Sequence, residues 1–171
     1  KQIKRIRFYG IETIEKTKFK NKYYSNENGV NSRLDEIQSS ILNFKLKKID
    51  TFIQKRKQIA KDYIFNLSST SLKLPLANNN NDHVYHLFTV YHPKGNIIKK
   101  KLNKLKIQTR TIYPYPIHKM KAYSKIIKDK KNLKNSEKKS RGIFCLPLYP
   151  ELKKQEINKV CIALKSIIKR I

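Results

Sequence analysis

From Ser32 onward, apolar residues return every three or four positions. Leu34, Ile37, Ile41, Phe44, Ile49, Phe52, Ile59, Tyr63 and Leu67 mark the rhythm, which predicts one long amphipathic helix over 32–67. Ser32 is a natural N-cap, and Asp35 at the third helical position makes a variant of the capping box. Asp35 and Glu36 also suit the positive end of the helix dipole. Residues 1–28 are basic and weakly periodic, and "KNKYYSNENG" closes them as an ordered loop.

Beyond the helix the period shortens. "SSTSLKLPLANNNND" is a loop with its solvated tip at 78–81. "HVYHLFTVYH" is dense in Val, Tyr, Leu and Phe, and predicts a strand over 84–91 buried on both faces. "NIIKKKLNKL" reads as a short helix. "IQTRTIYPYPIH" reads as a strand over 107–113 that runs into a proline-stiffened turn. The lysine-rich stretch 119–141 predicts short exposed helices, and "GIFCLPLYPEL" a strand over 143–146. Ile157, Val160, Cys161, Leu164, Ile167 and Ile168 mark a C-terminal amphipathic helix. Strands alternating with helices indicate an α/β or α+β lobe fed by the long helix, its three strands in one sheet. There is no internal repeat.

Composition adds one large number, a net charge of +28 over 171 residues. Such a charge suggests nucleic acid or an anionic surface. Yet 33 of the 40 basic residues are Lys and 7 are Arg, whereas specific phosphate and base recognition leans on the Arg fork. Lys, Asn and Ile are inflated together, as AT-biased coding would produce. Drift across solvated faces is therefore weighed above a functional polyanion surface. Cys145 and Cys161 form no CxxC pair, which fits a reduced, cytoplasmic setting. No apolar run nears the roughly 20 residues that cross a bilayer. The opening "KQIKRIRFYG" has neither Met nor helix cap, and reads as cut from something longer.

Few residues are candidates for chemistry. His83 and His86 are three apart in the expected strand, hence on opposite faces and poorly placed to share a metal ion. Both cysteines lie in apolar patterns and read as core. Four glycines supply no phosphate-binding loop. Two segments are less ordinary. In "IYPYPIH", 112–118, two prolines make a stiff corner that fixes Tyr113, Tyr115 and His118. It is either a rigid loop with packed aromatics or the wall of a binding cleft. "GVNSRLDEIQSS", 29–40, crowds Asn31, Ser32, Arg33 and Asp35 at a helix mouth, either as caps or as a place for an anion.

"GVNSRLDEIQSSILNFKLKKID", "VYHLFTV", "IQTRTIYPYPIH" and "LPLYPEL" stand in the order and spacing of the DegT/DnrJ/StrS family, which the chain resembles. These are pyridoxal-phosphate-dependent sugar aminotransferases of fold type I. The wording is most similar to members that aminate a dTDP-linked 3-keto-6-deoxyhexose. The resemblance implies an α/β protein, here the C-terminal part of a fold-type-I aminotransferase. Residues 1–31 would end the large cofactor-binding domain, 32–67 would be the linking helix, and 68–171 the small α+β domain. The cofactor would be pyridoxal 5'-phosphate, and the assembly a homodimer with shared active sites. Asn31 matches the Asn that reaches the cofactor phosphate of the neighbouring subunit. Arg33 would serve the same anion or the substrate diphosphate, or else pair with Asp35 or Glu36. Tyr113 and His118 match the loop near the sugar nucleotide, while Ile112 stands where many relatives have His. The Schiff-base lysine lies upstream in the family, so no catalytic residue is assigned here and the chain alone is expected to be inactive.

The function implied is amino transfer from an amino acid, with glutamate the expected donor, to a nucleotide-linked keto sugar. The rival reading is a non-catalytic basic module for nucleic acid or anionic surfaces, resting on lysine clusters at 99–106 and 128–139. The favoured reading expects no specific nucleic acid, no membrane and no metal.

Overall fold

The computed structural model describes residues 2–11, 25, 27–32, 34–76, 83–123 and 133–171. Contacts divide the chain into two compact units, Lys1–Ile49 and Asp50–Ile171. The loop tip at 78–81, and residues 124–132 of the lysine-rich stretch 119–141 expected to form short helices, lie outside the described residues.

In the first unit a short helix α1, Gln2–Ile6, is followed by residues that pair with 30–32. Tyr9 N–H donates to the Val30 carbonyl at 3.2 Å and Ser32 N–H to the Arg7 carbonyl at 3.0 Å. A bridge joins Phe8 to Asn31. Helix α2 spans Glu36–Leu46, capped by Asp35. The Asp35 carboxylate accepts from the amides of Ile37 at 2.8 Å and Gln38 at 3.3 Å. This corrects the expected cap at Ser32, whose backbone is held by Arg7 in an extended pairing. Arg7 Nε also donates to the Ser32 carbonyl at 3.1 Å.

The single helix expected over 32–67 is two helices. Helix α3, Ile49–Leu67, begins after Lys47 and Lys48. There Lys48 N–H bonds back three residues to the Lys45 carbonyl at 3.0 Å, tightening the end of α2. The lysines at 45, 47 and 48 suit the negative end of that helix.

The second unit holds the core. Ile59, Ala60, Tyr63 and Leu67 of α3 are buried at helical spacing. Strand β1, Phe88–Tyr91, pairs antiparallel with β2, Ile143–Leu146, in the register Thr89 to Cys145 and Val90 to Phe144. Isolated bridges extend this pair, from Lys73 to Tyr91 and from Arg110 to Cys145. The expected strand 84–91 thus starts only at Phe88, because Tyr85 takes φ +49, which is left-handed and cannot continue a strand. The expected strand 107–113 contributes only the bridge at Arg110. Lys106 and Tyr113, both with φ +57, stand at its two ends.

Helix α4, Gly95–Lys104, packs Ile98 and Leu102 inward. It ends in a left-handed turn at Lys106: Ile107 N–H returns to the Leu102 carbonyl at 3.0 Å, and Lys106 N–H to the Asn103 carbonyl at 2.9 Å. Helix α5, Lys134–Gly142, leads directly into β2. Helix α6, Lys154–Lys169, buries Ile157, Val160, Cys161, Leu164 and Ile167 as expected. The Glu156 carboxylate accepts from Lys153 N–H at 2.8 Å at its start. No helix among the described residues is long and apolar enough to cross a membrane.

Candidate functional site

The proline-stiffened segment is anchored before it turns. Arg110 and Cys145 exchange backbone bonds at 3.3 and 2.7 Å, and Lys99 Nζ donates to Thr111 Oγ1 at 2.6 Å. The chain then enters Tyr113 with φ +57, an unusual conformation for a bulky residue and a mark of local strain. Pro116 is extended and leads into a 3-10 turn, Ile117–Lys119. Two short i→i+3 bonds hold that turn, Lys119 N–H to Pro116 and Met120 N–H to Ile117, each 2.9 Å.

The corner forms one side of a cavity of about 550 Å³, with Tyr113, Tyr115, His118 and Met120 facing Lys139 and Ser140 of α5. The expected pair Tyr113 and His118 therefore borders a single cavity. Tyr113 is 82% exposed, free to meet a ligand. His118 is held: its Nε2 lies 3.1 Å from Glu137 Oε1 on α5, and Lys119 Nζ lies 3.2 Å from the same oxygen. The bonds from His118 and then Lys119 hold the Glu137 carboxyl below the usual glutamate range. The Lys139 ammonium sits 4.0 Å over the Tyr91 ring.

A larger groove of about 830 Å³ runs along α4 and α6, lined by groups such as Leu105, Ile107, Gln155 and Ile162. It contains no imidazole or carboxylate, whereas His118 borders the smaller cavity.

Asn31 belongs to the first unit. Its side chain is exposed and makes no hydrogen bond among the described residues. An exposed side-chain amide is a neutral donor of the kind a phosphate oxygen accepts from. Helix α2 starts five residues later, behind Asp35 and Glu36, whose charges disfavour phosphate directly at its N-terminus. Arg33 lies outside the described residues.

The other histidines serve locally. His83 Nδ1 accepts from Tyr85 N–H at 2.9 Å. His92 Nδ1 accepts from Lys94 N–H at 3.0 Å, and its Nε2 lies 3.1 Å from Ser71 Oγ. Neither His83 nor His86 is in a strand; the turn at Tyr85 displaces both. No group of three or more His, Cys, Asp or Glu among the described residues could hold a metal ion. Cys145 and Cys161 are buried free thiols, as expected.

Sequence reasoning missed Glu137 and Arg56. Glu137 and Asp129 are the two acids between 119 and 141, and an acid amid so many lysines was the available signal. Arg56 Nη1 on α3 donates to the carbonyls of Tyr85, His86 and Leu148 at 3.2–3.3 Å. It ties the entry to β1 and the exit from β2 to one helix.

The sequence pattern of the DegT/DnrJ/EryC1/StrS aminotransferase family matches residues 1–165. The chain belongs to this family. It is 32% identical to a dTDP-3-amino-3,4,6-trideoxy-alpha-D-glucose transaminase of Micromonospora megalomicea subsp. nigra, over 97% of this chain and 44% of that protein. The crystal structure of DesV from S. venezuelae, in complex with a ketimine intermediate, superposes with a TM-score of 0.88 and 29% identity. That match covers 99% of this chain and 44% of DesV. The structure of ntda from Bacillus subtilis with bound cofactor PMP matches at 28% identity and TM-score 0.81, over 96% of this chain and 38% of the other. The chain thus spans less than half the length of the relatives it matches, and its fold class is that of this part of the family.

Proposed function

We propose that the chain is the C-terminal part of a pyridoxal-phosphate-dependent aminotransferase that acts on a nucleotide-linked keto sugar. Residues 1–31 then complete the large domain, 32–67 is the linking helical region, and 68–171 is the small domain. The convergence of Tyr113 and His118 on one cavity, within a chain matched to the family along 165 residues, carries the reading. The substrate is a dTDP-linked 3-keto sugar, in keeping with the similarity to a dTDP-amino-sugar transaminase. The amino donor is glutamate.

In this reading Asn31 donates its amide N–H to the phosphate of the cofactor in the neighbouring subunit. Arg33 adds charge to that phosphate or to the substrate diphosphate. Pyridoxal phosphate supplies the electron sink for the migrating amino group. The small-domain corner orients the sugar: the Tyr113 hydroxyl and the His118 imidazole offer it donors and acceptors, and the stiff Pro114–Pro116 backbone keeps them in place. The lysine that carries the cofactor lies outside these residues. The enzyme is a cytoplasmic homodimer, a setting suited to two reduced thiols. The dimer and the rest of the polypeptide also cover α2, whose Ile37, Leu42, Phe44 and Leu46 are each more than half exposed.

The test is an amination assay on the full-length enzyme with glutamate and a panel of dTDP- and UDP-linked keto sugars, following 2-oxoglutarate and the amino sugar by mass spectrometry. Turnover of the dTDP-linked 3-keto sugar is expected. An enzyme that retains cofactor yet aminates no nucleotide-linked sugar contradicts the reading.

A further inference from the structure

We propose that Glu137 is a positioning residue for His118, fixing which ring nitrogen is presented to the sugar nucleotide. The proposal rests on the reading above, in which His118 meets the substrate.

The contact is specific. Glu137 Oε1 sits 3.1 Å from His118 Nε2 and 3.2 Å from Lys119 Nζ. An ionised carboxylate has acceptors only, so Nε2 must carry the proton and donate it. This assigns the tautomer: Nδ1 is the ring nitrogen left available, an acceptor for a sugar hydroxyl when the ring is neutral and a donor when it is protonated. Lys119 lies on the same oxygen and stabilises the ionised form that this assignment requires.

The ring needs such support. His118 lies in a three-residue 3-10 turn, which gives its side chain little local constraint. Glu137 comes instead from a nine-residue helix that runs directly into β2, so its place is set by the sheet. The His118 and Glu137 side chains are 14% and 20% exposed, and water competes poorly for the bond. Neighbouring residues of the same helix, Lys139 and Ser140, line the cavity. The helix that shapes the pocket therefore also aims its imidazole.

Two measurements test this. Imidazole nitrogen NMR on the 171-residue chain should show a slowly exchanging His118 Nε2–H. The signal should vanish in Glu137→Ala and persist, weakened, in Glu137→Gln, with the other three histidines unchanged. On the full-length enzyme, Glu137→Ala and His118→Gln should each raise KM for the keto-sugar nucleotide roughly ten-fold, the low end for a hydrogen bond involving a charged group. KM for the amino donor should not move. The double variant should be no worse than His118→Gln alone, because the two residues act as one unit. A protected Nε2–H surviving in Glu137→Ala, or effects that multiply, would overturn the positioning role and leave the sugar-site reading standing. If His118→Gln itself leaves KM unchanged, the sugar-site reading falls and this proposal with it.

Discussion

The hydroxyl of Tyr63, in the fifth turn of α3, donates to the backbone carbonyl of Pro147, 84 residues away, at 3.0 Å. The ring is fully buried against Phe88, centroids 5.0 Å apart. One side chain thus supplies both core volume and the polar tie to the loop after β2. Tyr63→Phe keeps the ring and leaves the Pro147 carbonyl without this donor. It should lower unfolding stability by about 1–2 kcal/mol. Urea unfolding checks this, with an unchanged m-value expected.

Lys106 ends α4 in the left-handed region, at φ +57, where only glycine sits without a steric cost. Its side chain is exposed. Lys106→Gly should therefore stabilise the chain, by roughly 1 kcal/mol, opposite in sign to most substitutions. A lowered urea midpoint would mean that the lysine side chain contributes something the backbone geometry hides.

The same backbone detail explains what could be read in the sequence. Helices α4 and α6 were legible because burial follows a 3.6-residue period that Ile98 and Leu102, or Ile157 to Ile167, state openly. The apolar rhythm through 32–67 was equally plain, but rhythm reports which faces are apolar and not where the ladder breaks. The break at Lys47 and Lys48 and the cap at Asp35 are decided by hydrogen bonds. Strand lengths were overestimated because Tyr85, Lys106 and Tyr113 adopt positive φ, which no composition rule assigns to Tyr or Lys. At the cavity, proline spacing marks the stiff corner that carries Tyr113, Tyr115 and His118, while the choice of Tyr113 and His118 comes from the family resemblance. Glu137 was not legible, since its partner is 19 residues away and the pairing depends on the fold.

Burial pushes the Cys161 thiol up to about 11, from an ordinary value of 9.0. The folded state therefore disfavours the thiolate. Its contribution is complete below about pH 9 and is lost as pH rises toward 11. Burial also raises the Tyr63 phenol and acts in the same direction. Denaturation midpoints measured between pH 8 and 11 should fall, and Cys161→Ala should make the fall shallower. A parallel fall in both proteins would assign the loss to other groups.

Asn31→Ala separates phosphate contact from helix capping. In the full-length enzyme it should weaken cofactor retention by about 1–2 kcal/mol, the loss of one hydrogen bond. Without cofactor the melting temperature should hold, because Asp35 caps α2. Asp35→Ala should show the converse, a stability loss of about 1 kcal/mol with cofactor affinity kept. Cofactor dialysis and thermal melts check both. A stability loss in Asn31→Ala with unaltered affinity would make Asn31 a structural residue.

The central claim is that these residues orient substrate and cofactor for a lysine that lies elsewhere in the polypeptide. Borohydride reduction of the cofactor-loaded full-length enzyme, followed by peptide mapping, tests it most directly. The 171-residue chain alone should take up label weakly, spread over several of its 33 lysines and lost with salt, since exposed charges are screened beyond roughly 8 Å at physiological ionic strength. In the full-length enzyme the account predicts stoichiometric label at one lysine outside these residues. Stoichiometric, salt-resistant label on a lysine within them, Lys139 at the cavity wall above all, accompanied by turnover in the isolated chain, would contradict it.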